Sequence, residues 1–268
     1  MEAFTALSGR SPAVVHWFER WDRQDPFDPV LVARCWDMGA APMISWEPWQ
    51  GLERITSGVH DVYLADYAGA AAAHGQPVFL RFAHEMNLPP IPWHAPPGVF
   101  LAAWERVRGF FHEAGASNVR FVWSPYVYGR GIARLSPYFP GRDKVEWLGL
   151  DGYNWGRRGW WQRAAGFDRL FGPSLRALEG LMPDAPVMLA EIGCAQFGAK
   201  AAWMREALLN AVPNRYPQVR AVVWFNEHRR EHADWRVDSS PEALTAWREI
   251  GRDPRYGLEG EEVVRIGG

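Results

Sequence analysis

Seven short runs of apolar and β-branched residues constrain this chain more than any other feature: AVVHWF at 13–18, PMISW at 42–46, VFLRF at 78–82, VRFVW at 119–123, VEWLGLD at 145–151, PVMLAE at 186–191 and VRAVVWF at 219–225. Their hydrophobicity is continuous where a half-exposed strand would alternate, which is the pattern of parallel strands covered on both faces. Helical stretches separate them, among them DVYLADYAGAAAAHG at 61–75, PGVFLAAWERVRGFFHEAG at 97–115 and AKAAWMREALLNAV at 199–212. Gly75 and Gly115 stand where helices would stop, and Ser240 with Pro241 behind it opens a last helix. Strands alternating with helices in this way form stacked βαβ units. No linker, low-complexity tract or charge run divides the 268 residues. The expectation is one α/β domain, a (β/α)8 TIM barrel over residues 1–250, with a polar, Gly-rich tail at 251–268.

A formal net charge of −2 provides neither a polybasic field for nucleic acid nor a cationic patch for anionic lipid. The expected partner is a neutral oligo- or polysaccharide, with no nucleic acid and no membrane. Sixteen tryptophans beside eight tyrosines agree with this, because flat apolar faces with one polar N–H suit sugar rings. Cys35 and Cys194 are too few for a disulfide framework and lack metal-ligand spacing, so both are read as buried thiols. No apolar run approaches the roughly 18 residues of a membrane span, and no signal peptide precedes the first helical pattern. As it stands the chain reads as cytoplasmic, and as secreted if the true N-terminus lies upstream.

In a parallel barrel the active site forms where strands deliver their C-terminal ends. Those ends carry His84, Glu85 and Asn87; Ser124 and Tyr126; Tyr153, Asn154 and Trp155; Glu191; Asn226, Glu227 and His228; and Trp46, Glu47 and Trp49. Carboxylates, amides and aromatics make a carbohydrate mouth, and no Gly-rich phosphate loop is present. Breaking a glycosidic bond needs one carboxylic acid to protonate the leaving oxygen and one carboxylate to attack or to activate water. Glu85 and Glu191, on different strands and flanked by apolar sequence, supply such a pair. Arg81, His84 and Tyr153 are placed to donate hydrogen bonds to them. A single Glu after a strand more often caps the next helix; two in one mouth weaken that alternative.

The ordered motifs RFAHEMN at 81–87, WSPY at 123–126, GLDGYNW at 149–155, LAEIG at 189–193 and WFNE at 224–227 resemble glycoside hydrolase family 26. PMISWEPW at 42–49, the PW pair at 92–93 and DWRVDSS at 234–240 support the resemblance, which runs from about residue 4 to 250. It implies a clan A barrel and a retaining endo-acting enzyme, β-1,4-mannan being the first expected substrate and mixed-linkage β-glucan or β-1,3-xylan the alternatives. It implies Glu85 as general acid/base, Glu191 as nucleophile and Tyr153 as a hydrogen-bond donor to it. His84 would contact sugar or orient Glu85, Arg81 would position groups or join an ion pair, and Trp224 would stack under the sugar. Trp46, Trp93 and Trp123 are candidates for subsite walls. No cofactor or metal is implied. A carbohydrate-binding protein on an inactive scaffold is the non-enzyme alternative.

The chain departs from the family at three places. LPPIPWH at 88–94 replaces an aromatic-rich stretch, and WSPY replaces the commoner WSPN. The family's first barrel strand has no counterpart, so the barrel is expected to lack its first N-terminal strand; EEVVRI at 261–266 is one candidate to close the gap. HRREH at 228–232 fits a zinc signature that requires a helix, but its position directly after a strand favours a charged loop.

Overall fold

The computed structural model describes residues 2–129, 131–156, 165–229 and 233–266. The seven predicted strands are present as β1 (Val14–Arg20), β2 (Ala41–Glu47), β3 (Val78–Phe82), β4 (Val119–Trp123), β5 (Trp147–Asn154), β6 (Val187–Cys194) and β7 (Val219–Trp224). Each pairs in parallel with the next, in sequence order. They curl into an incomplete (β/α)8 barrel with helices in the connections. Local chemistry sets several helix ends. The Asp28 carboxylate accepts hydrogen bonds from the backbone of Val30 and Leu31 to start helix Pro29–Trp36, and Ser240 does the same for Pro241–Arg252 through Ala243. Gly75, at φ 76°, ends helix Asp61–His74.

Strand pleating sorts side chains between two layers. One set, including Ile44, Trp46, Leu80, Phe82, Trp123, Leu148, Leu189 and Trp224, packs outward against the helices. The other faces the barrel axis and begins with an apolar floor of Met43, Phe79, Val122, Trp147, Met188 and Val223. Two residues further along the same strands the axial positions become polar: Ser45, Arg81 and Ser124, all buried. The fold thus builds a polar mouth directly on an apolar floor.

No eighth strand lies between β1 and β7 among the described residues. A cleft of about 500 Å³ separates them, lined by Val15, His16 and Phe18 on one side and Val222, Trp224 and Phe225 on the other. The reading of 261–266 as the closing strand is overturned, because Gly260–Ile266 is a helix. Its pattern explains why: Val263 and Val264 are buried while Glu261, Glu262 and Arg265 are exposed, a grouping that one helical stripe can satisfy. The two valines join Met43, Phe79, Trp147 and Met188, so part of the segment expected as a tail seals the barrel floor. Gly260 permits the close approach. A Cβ there would lie 2.3 Å from the Ala41 nitrogen, and its own N–H donates to the Gly39 carbonyl.

Candidate active site

Arg81 is the centre of the mouth. Its guanidinium is fully buried, and each nitrogen has a partner: Nε donates to Ser45 Oγ at 2.8 Å, Nη1 to Asp151 Oδ2 at 2.8 Å, and Nη2 to Glu191 Oε1. Nη2 also lies 3.3 Å from His16 Nε2, which stands 2.6 Å from Ser45 Oγ. Ser124 donates to the other Asp151 oxygen at 2.9 Å. Burial alone would lower the Arg81 pKa, but the negative charges of Asp151 and Glu191 more than reverse this, so it remains a cation. Burial first, then the Arg81 charge, push the His16 and His84 pKa values well down, and both imidazoles are neutral near pH 7.

Glu191 reaches this cation through an irregularity in β6. Against β5 the register runs Gly149 to Met188 and then Asp151 to Glu191; against β7 it runs Leu189 to Val222 and then Ile192 to Trp224. On both sides β6 uses three residues where its neighbours use two, so it carries a β-bulge at 189–191. Simple alternation from the axial Met188 would turn Glu191 outward. The extra residue turns it inward, where Oε1 accepts from Arg81 and Oε2 accepts from the Tyr153 hydroxyl. His84 Nε2 stands 3.9 Å from Oε1.

Glu85 arrives differently, on a tight turn after β3. Ala83 and Glu85 have φ of 46° and 54°, sparsely populated for residues with a Cβ. The Glu85 N–H donates to the Ser124 carbonyl at 2.7 Å, and the turn is held further by Asn87, which donates to the Tyr126 and Ala133 carbonyls and accepts from the Tyr126 N–H. Burial, reinforced by the charges of Asp151 and Glu191, holds the Glu85 carboxyl far above the ordinary carboxylate range, and Arg81 and Arg229 oppose this only in part. A carboxyl group that burial biases toward its protonated form and one oriented by Arg81 and Tyr153 therefore share one mouth.

The structure brings together Arg81, His84, Glu85, Tyr153 and Glu191. Trp93 is close by but 3 % exposed; its indole N–H donates to the His84 carbonyl at 2.6 Å and its ring lies 5.2 Å from the imidazole, so it supports His84. Trp46, Trp123 and Trp224 belong to the outward set. Trp46 stacks on Tyr67 at 4.2 Å, Trp123 meets Phe139, and Trp224 lies against Trp203 and Trp247. Each occupies the position next to an axial residue, so pleating directs its ring into the helix layer, away from the sugar-facing placement expected for it.

Sequence reasoning gave no role to Asp151, Ser45 and His16. A lone aspartate inside the buried run WLGLDGY was the available signal, since a buried carboxyl requires a partner. Phe225 and Trp235 were also missed; their rings pack on Tyr153 at 5.6 and 5.0 Å. His228 and Arg229 form an extended hairpin with Ala233 and Asp234, in place of the helix a zinc motif needs; the remainder of HRREH lies outside the described residues.

No protein-family profile matches the chain. Endoglucanase H of Acetivibrio thermocellus is 33% identical over 261 residues, which cover 93% of this chain and 28% of that protein; the chain thus spans little more than a quarter of its relative. The catalytic domain of the Bacillus sp. JAMB-750 family 26 endo-β-1,4-mannanase superposes with a TM-score of 0.76 at 18% identity, covering 98% of this chain and 82% of that one. BoMan26A, a family 26 β-mannanase from Bacteroides ovatus, gives 0.71 at 16% identity over 94% and 82%. The superpositions show that the chain shares the barrel fold of family 26 β-mannanases, and the match to endoglucanase H extends along nearly the whole chain.

Proposed function

We propose that this chain is a retaining endo-β-glycosidase for a neutral β-linked polysaccharide, with Glu191 as nucleophile and Glu85 as general acid/base. The observation that carries the reading is the inward turn of Glu191 onto Arg81 and Tyr153, in the same mouth as Glu85, whose burial favours the protonated form.

In the first step the Glu191 carboxylate attacks the anomeric carbon as Glu85 donates its proton to the departing glycosidic oxygen. The bond to the leaving sugar breaks and a glycosyl ester forms on Glu191. Glu85, now anionic, takes a proton from an incoming water, whose oxygen attacks the anomeric carbon on the face the leaving sugar vacated, opposite Glu191, and breaks the ester bond to Glu191. Two inversions give net retention. Arg81 and Tyr153 fix the attacking oxygens so that little reorganisation accompanies attack. No step calls for a metal or cofactor.

β-1,4-Mannan is the first substrate to try. Mixed-linkage β-glucan is the second, favoured by the endoglucanase name of the 33%-identical relative. A reducing-end assay on mannan, glucomannan, lichenan and β-1,3-xylan, with wild type beside Glu191→Ala, tests the reading. Product anomers followed by NMR should show retention. Equal activity of the two proteins removes Glu191 from its role, and an inverted anomer removes the double displacement.

A further inference from the structure

We propose that Glu47 is a specificity-determining residue: with the Trp49 ring it forms a sugar subsite beside the reacting pair, binding hydroxyls of a neutral hexose and disfavouring chains that bear uronic acids. This rests on the glycosidase reading above and deepens it.

Glu47 ends β2 on the axial face, two residues beyond Ser45, and is 9 % exposed. Its Oε2 accepts the Trp49 indole N–H at 2.7 Å, whereas Oε1 meets no donor among the described residues and is not sealed from solvent. The end of β2 is held against the turn that bears Glu85, because the Ala83 N–H donates to the Trp46 carbonyl at 3.1 Å, so Glu47 stands at the rim of the reacting pair; burial raises its pKa. Closing the 47–50 turn does not explain a carboxylate here. A glutamine oxygen would accept the same indole N–H without desolvating a charge near Glu191.

Trp49 is the second observation. The described Phe, Tyr and Trp side chains are buried or half-buried except two: Trp49 is 40 % exposed and Phe18 39 %. Phe18 lies 6.0 Å from the His84 ring, Trp93 bridges His84 to Trp49, and the Arg20 guanidinium sits 4.2 Å from the Trp49 centroid. Arg20 is itself paired with Asp22 at 2.6 Å. The rim therefore offers an aromatic face beside a carboxylate oxygen with an open acceptor site, the complement of a sugar's C–H face and hydroxyl edge. Its charge favours neutral sugars: Glu47 adds to Asp151 and Glu191, while Arg81 is the one cation buried among them in the described residues and Arg20, on the Trp49 ring, is paired with Asp22. A uronate carboxylate brought to Glu47 would meet like charge in a partly desolvated site.

The test compares Glu47→Gln and Trp49→Ala with wild type on the neutral polysaccharide that the wild type cleaves and on the same polymer oxidised at C6 to uronic acids. Glu47→Gln should lower kcat/KM on the neutral polymer by about tenfold, mostly through KM, since the subsite binds ground and transition states alike. Its preference for neutral over oxidised polymer should shrink by a similar factor. Binding of neutral oligosaccharides to Glu191→Ala, with and without Glu47→Gln, is measured by calorimetry as a readout that needs no turnover. Unchanged kcat/KM, preference and binding in Glu47→Gln overturn the subsite. Glu47-dependent binding without hydrolysis by the wild type leaves the subsite standing and overturns the glycosidase reading. Neither hydrolysis nor binding overturns both.

Discussion

Replacing Arg81 by methionine tests how the mouth is held together. Methionine fills much of the same volume but removes the only cation among the described residues between Asp151 and Glu191, register partners on adjacent strands that lie 0 % and 4 % exposed. Breaking a buried ion pair by deleting one partner costs about 3–5 kcal/mol. Here one guanidinium serves two carboxylates and also donates to Ser45, so the upper end of that range applies. At roughly 2–4 °C per kcal/mol for a domain of this size, the melting temperature should fall by roughly 10–20 °C at pH 7. The pH dependence identifies the cause. Carboxyls stranded without a cation have folded-state pKa values above their unfolded ones, so the penalty is absent below about pH 4 and grows as pH rises. Calorimetric melting of wild type and Arg81→Met across that range should show the gap closing on acidification. Adding Asp151→Asn to Arg81→Met should recover part of the loss at pH 7. A gap that is small at neutral pH, or independent of pH, refutes the assignment of Arg81 as the shared counter-ion.

Other consequences can be measured separately. Glu85→Ala should lose about 10²–10⁴-fold on polysaccharide, and much less on an aryl glycoside whose leaving group needs no proton; equal losses in steady-state assays would count against the acid role. In the wild type, the basic limb of kcat/KM should lie well above the ordinary glutamate range, because activity is lost only as the buried Glu85 surrenders its proton. Glu19 is 5 % exposed and accepts from Tyr67 and Trp17, and burial pushes it up to about 7. Its folded pKa is raised, so its stability cost is absent below about 4.5 and reaches about 3 kcal/mol above about 7. Glu19→Gln, which forfeits one acceptor worth about 1 kcal/mol, should be less stable than wild type at pH 4 and more stable at pH 8; urea-unfolding curves that do not change order would show the cost is not there. Gly260→Ala should cost about 2–4 kcal/mol by driving a methyl group into the Ala40–Ala41 backbone, read as a lowered denaturation midpoint with the fold retained.

Strand positions were legible because parallel strands covered on both faces must be apolar throughout, and each expected run overlaps an observed strand closely. The same continuity hid which face each residue takes. Trp46, Trp123 and Trp224 looked like mouth residues by position along the strand, and pleating sent all three outward. The two glutamates could be found through their motifs, but the β6 register shift that aims Glu191 leaves no mark in hydrophobicity. Asp151 was visible as a charge in an apolar run, and its partner Arg81 became evident only when β3 and β5 were brought around the barrel. The helix Gly260–Ile266 was misjudged because EEVVRI is too short for a period of 2 to be told from one of 3.6.

The bulge in β6 also says how such a chain could lose its chemistry. A strand is a two-state counter, and every residue beyond the inserted one is displayed in opposite phase. Removing Leu189 or Ala190 would restore plain alternation, present the carboxylate to the helix layer and leave the other six strands untouched. Catalysis in this architecture is thus separated from a silent scaffold by the parity of one strand, a difference of frame-preserving length and not of residue identity.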